Sequence, residues 1–115
     1  MKQLLLSLLF VAGITGCKKV ENTAAIDPEP VASFKINNTI EEGVVMEDTE
    51  IEFDNRSQYA DSYEWDFGNG ITSTERIPRA VVLRPCGRTH TIRLIVRTRR
   101  GRSATTTQTI LVRCR

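Results

Sequence analysis

The chain has 115 residues, 40% of them apolar and 6% aromatic, with 16 Lys and Arg against 14 Asp and Glu for a formal net charge of +2. That length allows one domain, and the composition suits a small soluble one rather than a protein with several membrane spans. One His, three Cys and no Gly-rich phosphate loop leave little material for catalysis, so a non-enzymatic role without cofactor or metal is expected.

Lys2 precedes Leu4 to Gly13, an almost unbroken apolar run. A helix across a ~30 Å hydrocarbon core needs about 20 apolar residues, so this run matches the apolar region of a secretory signal peptide instead. It ends in Ile14-Thr15-Gly16-Cys17. This resembles a bacterial lipobox, in which signal peptidase cuts before a Cys whose sulfur carries a diacylglyceryl group; Ile14 stands where the pattern usually has Leu. The resemblance implies a lipoprotein signal peptide over 1–16, lipidation of Cys17, and a membrane anchor of several acyl chains, because one chain alone binds only marginally. The alternative is an ordinary signal peptide cut near Gly16, with Cys17 free.

Residues 17–30 (CKKVENTAAIDPEP) show no apolar periodicity and end in Pro28 and Pro30. They read as a tether that spans about 45 Å when extended. Lys18 follows Cys17, where Asp is associated with inner-membrane retention. The expected address is therefore the outer membrane of a bacterial cell envelope, with the periplasmic and surface faces both open.

From Val31 onward no helical stripe is present. Ala32 to Ile36 alternates, as does Thr49 to Phe53, with Ile51 and Phe53 on one face and Glu50 and Glu52 on the other. Ser62 to Phe67 places Tyr63, Trp65 and Phe67 together, and Thr91 to Thr98 does the same for Ile92, Leu94 and Val96. Thr105 to Val112 is rich in β-branched residues, and Val81 to Leu83 is a short apolar run. Six or seven such short runs with turn signals between them predict an all-β sandwich over residues 31–115.

Tyr63-Glu64-Trp65-Asp66-Phe67-Gly68-Asn69-Gly70 resembles the YxWDFGDG signature of the polycystic kidney disease (PKD) domain. Around it, Ile51 to Ser57 resembles the preceding strand, Pro78 the following Pro, Ile92-x-Leu94-x-Val96 the YxVxLxV strand, and Ile110-x-Val112 the closing strand. Asn69 stands for the usual Asp, and His90 where an aromatic residue is expected. The resemblance implies an all-β, immunoglobulin-like (PKD-type) antiparallel sandwich of about seven strands. Within the signature the aromatic residues supply buried area. Gly68 and Gly70 permit positive φ, and Asp66 and Asn69 can accept turn N–H groups. The motif reads as a folding element, with the lining of a binding site as the alternative.

Cys86 and Cys114 remain once Cys17 is set aside. The strands over 92–98 and 105–112 flank a turn centred near residue 100, so paired positions sum to about 200: 94 meets 106, 92 meets 108 and 86 meets 114. Opposed residues of an antiparallel pair lie at disulfide distance, and an exported protein sits in an oxidising compartment. A Cys86–Cys114 disulfide is expected; two free thiols or a metal pair are the alternatives.

All 14 acids lie within residues 20–75, while residues 76–115 hold eleven Arg and no acid. The PKD resemblance implies that the last two strands lie beside the Trp65 strand, so that outward Arg93 and Arg97 face Glu64 or Asp66. Arg97, Arg99, Arg100 and Arg102 crowd one tip. With Arg93 they form a candidate binding patch for anionic glycan, lipid headgroup or an acidic protein face; the alternative is a solvated, partly neutralised face. The exported address argues against nucleic acid. His90 reads as a core-edge residue. Glu41, Glu42, Glu47 and Asp48 lack the alternating spacing of a calcium loop, and the sequons at Asn37 and Asn55 are incidental beside a lipobox. Two functions follow: a non-catalytic binding module for envelope protein or polysaccharide, or a structural spacer without a specific ligand.

Overall fold

Period-two alternation decides which side of each strand faces the core. The computed structural model describes residues 28–115, and in it Ile92, Leu94 and Val96 are fully buried while Arg93 and Arg97 point outward. Among the described residues seven strands form: β1 (Phe34–Ile36), β2 (Val44–Met46), β3 (Phe53–Asn55), β4 (Ser62–Asp66), β5 (Thr72–Ser73), β6 (Arg88–Arg97) and β7 (Ser103–Arg113). They make a five-stranded sheet in the order β2-β7-β6-β4-β5 and a two-stranded sheet of β1 and β3. The architecture is an all-β, immunoglobulin-like sandwich.

Trp65 sits between the sheets with no exposed surface. The rings of Phe34 on β1 and Phe53 on β3 each lie 5.1 Å from it, centroid to centroid, and Phe67 lies 5.4 Å from Phe53. Ile92, Leu94, Val96, Ile110 and Val112 floor the same core. Fully burying a side chain of this size contributes about 1.5–3 kcal/mol. Gln108 on β7 donates its side-chain amide to the Phe34 carbonyl on β1 at 2.6 Å, a polar tie from one sheet to the other.

The β6–β7 hairpin has the expected register: Leu94 opposes Thr106 and Ile92 opposes Gln108. Beyond its open end Cys86 and Cys114 form a disulfide with their Cα atoms 5.2 Å apart. Cys86 packs against the core, whereas Cys114 is exposed.

Three expectations are revised. The sandwich is not wholly antiparallel, because β2 pairs with β7 in parallel. The segment joining the antiparallel neighbours β1 and β3 crosses to the larger sheet, and its direction there is set by the crossing rather than by a hairpin. Gly43, at φ 75°, turns that crossing and accepts the Leu111 N–H at 2.8 Å. The strand expected over 49–53 is narrower. Ile51 and Phe53 are buried as the alternation required, but ladder pairing starts at Phe53, and Glu50 makes only an isolated bridge to Val82. Val81 to Leu83 makes no ladder beyond that bridge; Val81 and Leu83 are nonetheless buried.

The expected signal peptide over 1–16, the expected lipidation residue Cys17 and most of the expected tether lie outside the described residues. Among the described residues no helix is long and apolar enough to cross a membrane.

Candidate functional site

The turn after β4 is held by its own residues. Asp66 accepts the Gly68 N–H at 2.9 Å, and the Phe67 N–H donates to the Ile71 carbonyl at 2.9 Å. Gly68, Asn69 and Gly70 follow one another at φ 81°, 55° and 77°. Asn tolerates the left-handed region better than most residues, which accounts for its place between two glycines. Its side chain does not serve as the expected acceptor. It donates to the Arg84 carbonyl at 2.9 Å and so ties the turn to the loop before β6. Tyr63 is half-buried, Trp65 and Phe67 fully so. The partners of this octapeptide are thus the sandwich itself.

The charge asymmetry of the sequence folds back on itself. Arg93 meets Asp66 at 3.3 Å and Arg97 meets Glu64 at 2.7 Å across β4 and β6. Arg84 meets Asp48 at 3.4 Å, Arg113 pairs with Glu41, and Arg102 pairs with Glu29. Each of these pairs joins the basic second half to the acidic first half. The five arginines of the predicted patch are accordingly divided. Arg93 and Arg97 lie on the outer sheet face, where Arg93, Asp66, Thr91 and Thr107 border a shallow depression of about 290 Å³. Arg99 and Arg100 lie at the end of the sandwich.

There they line a cleft of about 360 Å³ together with Pro28, Tyr59, Ala60, Asp61 and Thr98. Two loops build it: the β3–β4 connection and the β6–β7 turn. Tyr59 is 59% exposed and sits at φ 58°. Positive φ is uncommon for a bulky non-Gly residue. Its flanks hold it there: Gln58 and Val31 exchange backbone hydrogen bonds at 2.9 Å, and the Asp61 N–H donates to the Arg97 carbonyl at 2.8 Å. The Asp61 carboxylate accepts the Arg99 N–H at 2.8 Å and lies 3.8 Å from the Arg99 guanidinium.

Comparison with protein-family models gives no match, and no curated protein is matched. Solved structures are matched. The PKD1 domain from the Vibrio cholerae metalloprotease PrtV is 33% identical, with a TM-score of 0.57, over 75% of this chain and 99% of the other. The PKD1 domain of Vibrio anguillarum Epp is 30% identical, with a TM-score of 0.59, over 78% and 100%. The chain belongs to the PKD domain family. A structure described as the basis for the promiscuous specificity of carbohydrate-binding modules from the β-sandwich superfamily is also similar, at 26% identity and a TM-score of 0.63, over 77% of this chain and 36% of the other.

Within this PKD domain several polar residues matter that sequence reasoning passed over. Asn55, read only as a sequon, is buried; it donates to the Arg76 carbonyl at 2.7 Å and accepts the Ser57 N–H at 3.0 Å. Asn38 bridges likewise to the Glu50 carbonyl and the Glu52 N–H. For Asn55 the signal was Asx chemistry, a carbonyl oxygen accepting the N–H two residues on; the partners of Asn38 lie 12 and 14 residues away, and nothing local announces them. His90, read from the sequence as a core-edge residue, is buried, with Nε2 donating to the Pro85 carbonyl at 2.9 Å. Among the described residues Glu47, Cys86 and Cys114 bring three donor groups within 4.8 Å, but both sulfurs are committed to the disulfide and offer no thiolate.

Proposed function

We propose that the chain is a lipid-anchored protein of the bacterial envelope, held at the outer membrane, and that it displays one PKD sandwich as a non-catalytic binding module for polysaccharide or protein. Cys17 carries the anchor in this reading, and residues 17–30 hold the module off the membrane surface. The observation that carries the binding role is the open cleft at the end of the sandwich, with an exposed aromatic residue and arginines on the loops that line it. Loops on a rigid sandwich are where such domains place recognition residues. The likeness to a carbohydrate-binding module favours polysaccharide.

A second reading, a spacer without a specific ligand, is favoured by the pairing of Arg93, Arg97 and Arg99 with acids of the same chain. Co-sedimentation of the full chain, in detergent, with insoluble envelope polysaccharide separates the two. Saturable, salt-sensitive retention is expected of a binding module. Absence of retention on polysaccharide and envelope protein alike supports the spacer.

A further inference from the structure

We propose that the cleft between Tyr59 and the β6–β7 turn is a subsite for an acidic saccharide, with the Tyr59 ring as its stacking platform and Arg99 as its anion-recognising group. The proposal rests on the binding-module reading and names the ligand class and the residues.

The first observation is the ring. Tyr59 is a large side chain held in the left-handed region by hydrogen bonds on both sides of it, in a position where Gly or Asn would sit without strain. The fold buries only the smaller part of this residue, since 59% of it is exposed. Strain kept at an exposed aromatic position is the kind of outlier that accompanies ligand contact. A phenol ring facing an open cleft offers an apolar face to the C–H side of a pyranose and a hydroxyl to its polar rim.

The second observation is the charge. The lining holds two guanidiniums and one carboxylate. Asp61 is already engaged by the Arg99 backbone N–H at 2.8 Å, whereas the Arg99 guanidinium stands 3.8 Å from it, beyond hydrogen-bond length, with its side chain 88% exposed. Its planar fork therefore keeps donors for a carboxylate or sulfate from outside the chain.

The third observation favours a saccharide over a peptide that binds by adding a strand. Strand addition needs unpaired backbone groups. Around this cleft the N–H of Gln58 is taken by Val31, of Asp61 by Arg97, of Thr98 by Arg102, of Gly101 by Thr98 and of Arg99 by the Asp61 side chain. Recognition falls to side chains, and a volume of about 360 Å³ suits a short saccharide.

Calorimetric titration of the full chain in detergent, with hexagalacturonate as the probe, tests the proposal. Its neutral methyl ester and polyglutamate of matched charge serve as comparisons. Saturable binding of the acid is expected, at least tenfold weaker for the ester and for polyglutamate. Tyr59→Gly and Tyr59→Asn both accept the backbone conformation, so each should melt like the parent while weakening binding at least tenfold; Arg99→Gln should do the same. Saccharide binding unchanged in all three variants overturns the subsite and leaves the module reading intact. Equal affinity for the ester overturns the acidic class. Tighter binding of polyglutamate makes the ligand an acidic peptide. Failure to bind any saccharide, acidic or neutral, removes polysaccharide binding and this subsite with it.

Discussion

The indole N–H of Trp65 reaches the carbonyl of Glu75 at 2.9 Å, so the side chain that fills the core also fixes the loop following β5. The Phe34 and Phe53 rings cover Trp65 from the smaller sheet. One residue thus links both sheets and the connection leading away from them. Trp65→Ala removes all of this at once and is expected to cost about 3–5 kcal/mol, close to the whole stability of a small domain. Denaturant unfolding monitored by circular dichroism checks it. A cooperative transition with a nearly unchanged midpoint would show that the sheets are held together elsewhere.

The Cys86–Cys114 disulfide closes a loop between residues 28 apart in sequence, outside the open end of the β6–β7 hairpin. Loop-closure entropy gives about 3–4 kcal/mol for a loop of that size. Reduction should therefore lower the melting temperature by well over 10 °C, at roughly 4–8 °C per kcal/mol for a domain this small. The double Cys-to-Ser variant should melt like the reduced protein and ignore reductant. Two alkylatable thiols in the purified, unreduced chain would contradict the bond.

Arg97 and Glu64 pair at 2.7 Å, but each side chain is nearly half exposed. Exposed pairs are screened by solvent and typically contribute about 0.2–1 kcal/mol. A double-mutant cycle on Arg97→Ala and Glu64→Ala should give a coupling within that range, shrinking as salt is raised. A coupling of several kcal/mol would mean that the pair is far better shielded than its exposure indicates.

Period two and constant sums made much of this fold legible. Trp65, Phe67, Ile92, Leu94 and Val96 lie inward because alternate residues of a strand must, and the hairpin register followed from one turn position. β2 escaped because Val44 and Val45 are both buried, which breaks alternation, and because its partner β7 lies far along the chain and runs parallel. β5 has two residues, too few for any pattern. The arginines were legible as a group but not as a division, since that depends on which acid each one meets after folding. Tyr59 was not legible at all. Its backbone angle comes from the Val31–Gln58 bridge, a contact across 27 residues that nothing in the local sequence announces.

The anchor has its own test, independent of the sandwich. Cys17→Ala should release an exported soluble form or leave an uncut precursor, read by fractionation and the mass of the N-terminal peptide. A normally cleaved Cys17→Ala chain that stayed with the membrane would contradict lipidation at that residue.

A glycan array probed with the full chain in detergent, at rising protein concentration and two salt concentrations, tests the binding role most directly. The account predicts saturable signal on a restricted set of saccharides, reduced at the higher salt. No signal above background on any saccharide, acidic or neutral, would contradict polysaccharide binding.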